Sequence, residues 1–318
     1  MLEVKEVTKT FGDIVAVDSL SFSSPPGEIF GLLGPNGAGK STTIRMIMNI
    51  IAPDSGDITF RGEHLTEAHK NLIGYLPEER GLYKKVKVVD MLVYLAALKN
   101  VDRTVAEPRI DEWLKRFDLY DWKHSRIEEL SKGMAQKIQL ISAIIHEPEF
   151  IFLDEPFSGL DPVSTDVLRE AVVDLNKSGK TVFFSTHNME QAERICHTVL
   201  ILNKGRPIIH GPLNEVKEQF GSRTIAVEFD GDIGFLNQHP AVKNIIDYPR
   251  WAEIELAEGH DADEVFQALA GKVSVQRFEV VLPSLHKIFV DRLGGDPDAA
   301  ARHKTPVAGG SGREASDV

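Results

Sequence analysis

The chain has 318 residues, 42% hydrophobic and 26% charged, an ordinary soluble composition long enough for one large domain and one small one. Its formal net charge of −12 argues against broad nucleic-acid binding, which needs a basic face, and no nucleic-acid partner is expected. The single cysteine, Cys196, excludes an internal disulfide and suits a reducing cytosol.

The start MLEVKEVTKTFGD is charged and does not read as a signal peptide. EVKEV (3–7), VAVDSLSFS (15–23) and EIFGLLG (28–34) read as short strands, and residues 41–51 as a helix. That helix carries the longest apolar run, IRMIMNIIA. Arg45 and Asn49 break it and Pro53 stops it, short of the ~18–20 residues of a membrane span. ITF (58–60) and LIGYLP (72–77) are further strands. From about 88 to 147 the pattern is helical: VDMLVYLAALKN, IDEWLKRFDL, then a helix from Ser131 toward Pro148. EFIFLDEP (149–156) is an apolar strand ending in acids. A helix over 163–177, a strand TVFFSTH (181–187), a helix NMEQAERIC (188–196) and a strand TVLILN (198–203) follow. Strand–helix alternation with apolar strands implies an α/β fold around a largely parallel sheet buried on both faces, with the helical stretch inserted.

A second unit begins near residue 222. TIAVEF, a short helix in GFLNQHP, the pair KNIIDYP and WAEIELA around Pro249-Arg250, the helix DADEVFQALAG and the strand VSVQRFEVV give β-α-β-β-α-β, which suggests a ferredoxin-like fold. SLHKIFVDRL reads as a closing helix. The domains are therefore 1–222, with a helical subdomain at about 88–147, and 223–293. Residues 294–318, small, polar and rich in Pro and Gly, read as a disordered tail.

The strongest chemical signal is GPNGAGKST. Gly34, Gly39, Lys40 and Ser41 fit G-x-x-x-x-G-K-[ST], with a strand before and a helix after, the context of a P-loop. Backbone N–H groups of Gly34, Pro35-following Asn36, Gly37, Ala38 and Gly39 would wrap phosphates. Lys40 would reach the β- and γ-phosphates, the Ser41 hydroxyl would ligate Mg²⁺, and Thr42 and Thr43 open the helix whose dipole faces the anion. Asp154 is placed to hold Mg²⁺ and Glu155 to polarise an attacking water; strand alternation sends the two to different tasks. His187, at the end of STH, is a γ-phosphate ligand by position, and a structural or surface histidine if taken alone.

LSKGMAQKIQL poses a separate question. Ser131 reads as an N-cap, so Lys132 sets a cation at the positive end of a helix dipole. That is unfavourable by roughly 0.3–1 kcal/mol unless an anion joins it.

The ordered set GPNGAGKST, LSKGM, FLDEP, SGLDP and STH resembles the nucleotide-binding subunits of ABC transporters over about residues 1–220. The resemblance implies a RecA-like P-loop NTPase core with an inserted helical subdomain, ATP and Mg²⁺ as cofactors, and two ATPs sandwiched between two subunits. By it Phe11 is the adenine-stacking aromatic, the alternative being a core Phe on an edge strand. Ser131, Lys132 and Gly133 would meet ATP held by the partner's P-loop, and Gly159 and Asp161 belong to the D-loop facing that partner. Asp161 also suits the N-cap of the next helix, with Pro162 at N1. Lys132 and Met134 depart from the family's LSGGQ. Glu78 stands where glutamine is usual and remains a Mg²⁺ or water ligand.

LPEERGLY, LSKGM and the C-terminal unit look like one exporter branch, similar to sodium-efflux and drug-export ATPases. That implies a polytopic membrane permease partner, a second ATPase subunit, and a peripheral site on the cytoplasmic face of the membrane. The basic, partly apolar segment 79–90 is a docking site for the permease or a solvated loop. The rival readings are an ABC-type ATPase without a permease and a nonenzymatic ATP-gated regulator, against which Glu155 argues.

Overall fold

The chain divides into two units at Gly221/Ser222, and among the described residues each holds a hydrophobic cluster that shares no residue with the other. The computed structural model describes residues 1–64, 66–79, 81–220 and 224–293. The expected disordered tail, 294–318, lies outside the described residues.

In chain order the first unit has strands β1 (Leu2–Phe11), β2 (Ile14–Ser24), β3 (Ile29–Leu33), β4 (Ser55–Phe60), β5 (Glu63–His64), β6 (Ile73–Leu76), β7 (Phe150–Asp154), β8 (Thr181–Thr186), β9 (Thr198–Asn203) and β10 (Arg206–Pro212). Its helices are α1 (Lys40–Ile47), α2 (Val88–Ala97), α3 (Arg103–Arg116), α4 (Lys132–Ile144), α5 (Pro162–Lys177), α6 (Met189–Ile195) and α7 (Leu213–Gln219).

The strands form two sheets. One is six-stranded, in the order β10-β9-β3-β8-β7-β6, and parallel except for β10 against β9. Its strands β3, β7 and β8 are buried at every position, which explains why they read as unbroken apolar runs. The other sheet is antiparallel, in the order β2-β1-β4-β5, and packs on the first. Leu2, Val4, Leu20, Phe22 and Phe60 meet Phe30, Phe152, Phe183 and α1 residues Ile44 and Ile47 in one cluster.

Some boundaries differ from the sequence reading. α1 stops at Ile47 because Met48 caps it and Asn49 turns left-handed, at φ 52°. α3 begins at Arg103 and contains Pro108; the buried stripe Ala106, Ile110, Leu114 outweighs the hydrogen bond that proline forfeits. β10 and α7 were not anticipated. Two prolines in RPIIHGP argue against a strand, but β10 lies at the sheet edge, where a missing N–H costs little. Helices α2, α3 and α4 lie between β6 and β7, strands that pair directly, so the helical stretch is inserted at that point of the chain.

The second unit comprises β11 (Thr224–Asp230), a 3₁₀ turn at Gly234–Gln238, β12 (Val242–Tyr248), β13 (Trp251–Leu256), α8 (Ala262–Leu269), β14 (Ser274–Val281) and α9 (Leu285–Arg292). Its sheet is antiparallel throughout, in the order β12-β13-β11-β14. The element after β11 is one 3₁₀ stretch, not an α-helix. Ile225, Val227, Ile254, Val265 and Leu269 build its core between sheet and α8. On the other face of β13, buried Glu253 and Glu255 meet α9 through Ser284 and Lys287.

Candidate functional site

β3 delivers the chain to Gly34, and α1 starts at Lys40 with Gly39 as its N-cap. Gly39 has φ 103°, and a Cβ there would collide with the Ala16 carbonyl of β2, so only glycine fits. Residues Pro35–Gly37 are exposed, whereas Ala38 is buried. The Lys40 ammonium is buried and donates to the carbonyls of Gly34 (2.9 Å) and Pro35 (3.2 Å). Thr42 follows in the first turn of α1; the Thr43 hydroxyl is spent on the Gly39 carbonyl, at 2.9 Å.

Asp154 ends β7 and is fully buried. Its Oδ1 accepts from the Ser41 hydroxyl (3.1 Å) and the Ser185 hydroxyl (2.5 Å). Its Oδ2 is buried without a hydrogen-bond partner among the described residues. Burial first, and then the Asp154 charge, raise the nearby Tyr75 phenol above its ordinary pKa, against the opposing Arg45 charge.

Glu155 does not continue the strand. It takes a left-handed turn, φ 48°, a conformation that costs a non-glycine residue roughly 1–2 kcal/mol. Its N–H donates to Ser185 Oγ at 3.0 Å. Its carboxylate meets the Lys40 ammonium at 3.3 Å and His187 Nδ1 at 3.1 Å. Asp154 and Glu155 both turn toward the Gly-rich loop, one through Ser41 and the other through Lys40, because the turn breaks the pleat between them. His187 is part-exposed, and its Nε2 has no hydrogen-bond partner among the described residues.

Ser185 was not singled out from sequence, yet its hydroxyl ties both acids. Two buried amides were missed as well. Gln136 on α4 donates to the Pro156 carbonyl (3.1 Å), and Gln139 to those of Pro77 (3.2 Å) and Glu79 (3.3 Å). One helix thus holds the loops after β6 and β7. Ser185 lies in STH and the glutamines in LSKGMAQKIQL, but their partners are set only by the meeting of strands and helix.

Glu78 is exposed in the loop after β6, with no hydrogen bond to Ser41 or Asp154. Phe11 ends β1 and is 50% exposed, with the Lys9 ammonium 5.6 Å over its ring, so it is no core residue. Ser131 caps α4, accepting from Met134 N–H at 3.2 Å. Asp161 caps α5, accepting from Ser164 N–H at 2.9 Å; the Ser164 hydroxyl first, and then this N–H, hold its carboxyl below the usual range. The two turns adjoin: a Cβ on Gly133 would lie 2.9 Å from Ser164 Oγ. Lys132 is exposed and pairs with no acid among the described residues; its ammonium lies over Gly159, whose φ of 64° is in the left-handed region. No hydrogen bond or ion pair joins 131–133 to 34–43.

The oxygens of Ser41 and Asp154 suit a hard divalent cation, and the partnerless Oδ2 is a free acceptor for it or its water. Among the described residues no three His, Cys, Asp or Glu side chains form an all-protein metal cage. That agrees with Mg²⁺, which usually shares its sphere with phosphates and water.

The chain is similar to known proteins over much of its length. The ABC transporter family model matches residues 17–158, and the model for the C-terminal domain of DrrA1-3-like ATP-binding proteins matches 211–293. The chain is 45% identical over 294 residues to the uncharacterized ABC transporter ATP-binding protein YhaQ of Bacillus subtilis, spanning 92% of this chain and 99% of that one. It is 32% identical to the linearmycin resistance ATP-binding protein LnrL of the same organism, over 92% of this chain and 98% of that one. It is 36% identical to the Nod factor export ATP-binding protein I of Rhizobium etli, over 73% and 74%. Among solved structures, an ATP-binding subunit of an ABC transporter aligns with TM-score 0.64 at 32% identity, covering 70% of this chain and 93% of that one. CbiO1 of Clostridium perfringens, part of the ABC transporter complex cbiONQ, aligns with TM-score 0.61 at 26% identity over 69% and 90%. The chain belongs to the ATP-binding subunits of ABC transporters.

Proposed function

We propose that the protein binds and hydrolyses Mg²⁺-ATP, pairs with a second such subunit around two ATPs, and drives a separate membrane permease in export. The carrying observation is the convergence of Lys40, Ser41, Asp154, Glu155 and His187 on one loop. When ATP enters, Lys40 exchanges its own carbonyls for phosphate oxygens, and Glu155 loses its cation partner. The freed carboxylate is then the base for the attacking water, oriented by His187 Nδ1. His187 Nε2 is left facing the γ-phosphate. Ser41 and Asp154 hold the metal ion, with Glu78 or its water at the rim; the ion, when bound, neutralises charge on the β- and γ-phosphates. Phe11 stacks on adenine. Ser131, Lys132 and Gly133 engage the partner's ATP, and Gly159 and Asp161 face the partner.

In this reading residues 1–222 are the ATPase domain and 223–293 an accessory domain. The antiparallel order β12-β13-β11-β14 supports a ferredoxin-like accessory fold. No described helix is long and apolar enough to cross a membrane, so the permease is a distinct chain or segment. Exposed Tyr83 next to Lys84, Lys85 and Lys87 in sequence supports 79–90 as its docking surface, and exposed Tyr94 and Leu98 on the helix that follows support extending it along α2. A peripheral position on the cytoplasmic face follows. Relatives named for linearmycin resistance and Nod factor export support the export direction.

Glu155→Gln tests the reading. ATP binding is retained, while hydrolysis falls by ~10²–10⁴-fold and ATP accumulates in a trapped dimer. Near-normal steady-state turnover in this variant rejects Glu155 as the base.

A further inference from the structure

The accessory unit carries a strand edge that suits a second copy of itself. β14 is the outermost strand of its sheet, and among the described residues nothing pairs with its outer side. An open edge with apolar side chains invites another strand. Val280 within β14 is 56% exposed, Phe266 on α8 is 48% exposed, and the half-buried Phe278 of β14 meets Phe266 edge-on at 5.1 Å.

The charges choose the register. Two copies related by a twofold axis through the sheet pair antiparallel, and residues that face each other must lie on the same sheet face. The axis then passes through a residue pair. Ser274–Val281 holds two charged residues, Arg277 and Glu279. An axis at 277 sets arginine against arginine, and one at 279 sets glutamate against glutamate. An axis at Phe278 sets Arg277 against Glu279 twice and the two phenylalanines face to face. Like charges directly opposite destabilise a pair, while opposite charges and aromatic pairs contribute roughly 0.2–1 kcal/mol each. Within one copy Arg277 rests between Glu279 (2.5 Å) and Glu228 (3.7 Å), so both members of the cross-pair sit on one face of the sheet.

We propose that two copies of this chain associate through β14, with Phe278 on the twofold axis, joining two four-stranded sheets into one of eight strands. This contact is separate from the ATP-dependent pairing above and needs no nucleotide.

The test uses the full chain without nucleotide, in sedimentation velocity and in oxidative crosslinking. The expected result is a concentration-dependent dimer. Arg277→Glu or Glu279→Arg weakens it at least about ten-fold, and the double swap restores it, because the swapped pair is again complementary. Both residues are exposed, so the variants fold; unchanged melting curves verify this. Phe278→Cys forms a disulfide dimer, since facing Cα atoms in an antiparallel pair lie about 4.5–5.5 Å apart, whereas Glu279→Cys, facing residue 277, does not. Cys196 is buried and gives no background link. A chain that stays monomeric, a double swap without recovery, or equal crosslinking at 278 and 279 overturns the proposal. Trapping of Glu155→Gln by ATP is measured separately, so failure of this contact is distinct from failure of the ATPase reading.

Discussion

Ser185 illustrates how a single hydroxyl fixes two reacting groups. It donates to Asp154 and accepts from the Glu155 N–H, so it links the metal-side acid to the strained turn that aims the base. Ser185→Ala leaves that buried N–H without a partner and loosens the turn. A stability loss of about 1–3 kcal/mol is expected, read from chemical unfolding. Turnover should fall by between about ten- and a hundred-fold, with ATP affinity nearly unchanged, as follows from misplacing a base. Unaltered kcat in a destabilised variant would show the serine to be structural only. Lys132 teaches a different lesson. Its cation at the start of α4 is read from sequence as a demand for an anion, yet its ammonium reaches back over Gly159. A long side chain can leave the helix dipole it begins on.

At the scale of elements, α9 is fastened to β13 by charge. Lys287 is 2% exposed and donates to Glu255 (2.6 Å) and Asp291 (3.0 Å); Lys243 binds the other Glu255 oxygen at 2.8 Å. Burial opposes ionisation of Glu255, but hydrogen bonds from Lys243 and Lys287 outweigh it and hold the pKa below the ordinary value. Burial likewise opposes the Lys287 charge, and Glu255 and Asp291 raise its pKa nonetheless. A depressed carboxylate stabilises the fold above its unfolded pKa of about 4.3, and the contribution fades as pH falls through and below that value. Unfolding of the accessory unit should therefore become easier on acidification below about pH 4.5, and Glu255→Gln should flatten that dependence. The raised Lys287 pKa acts at the other end, its stabilisation being lost above about pH 10. Lys287→Met strands a buried carboxylate. Its cost belongs at the low end of the ~3–5 kcal/mol for a broken buried pair, because Lys243 remains.

For the whole molecule, the separation of the Ser131 turn from the Gly-rich loop motivates pairing in trans. Lys40→Ala removes phosphate binding, and Ser131→Arg blocks the start of α4. A mixed dimer of the two variants has one site with both defects and one intact site if the turn serves the partner's ATP. Subunit exchange should then recover ATP-dependent crosslinking above either variant alone. A phosphate contact to Ser131 within one subunit would count against this. The permease surface is tested by Tyr94→Glu. It should abolish copurification with the membrane partner while leaving the ATPase rate of the isolated chain within about two-fold, since one unsatisfied charge in an apolar contact costs several kcal/mol. Retained copurification moves the docking site elsewhere.

Much of this was legible in the sequence because its signals are local. The P-loop is nine consecutive residues whose glycine needs are steric. The buried strands β3, β7 and β8 are apolar throughout, and the caps Ser131, Asp161 and Asp261 each bond within three residues. What the tertiary structure decided lies between distant segments. Two separate sheets, the edge strand β10 and the serine and glutamines at the site depend on which strands meet, and period-2 patterning does not encode partners. The direction of Glu155 was decided there too. Pleat alternation sends it away from Asp154, but the left-handed turn, held by Ser185 thirty residues on, brings it back beside Lys40 and His187. A backbone conformation that costs energy locally persists only where non-local bonds offset it, and those bonds form only in the folded chain.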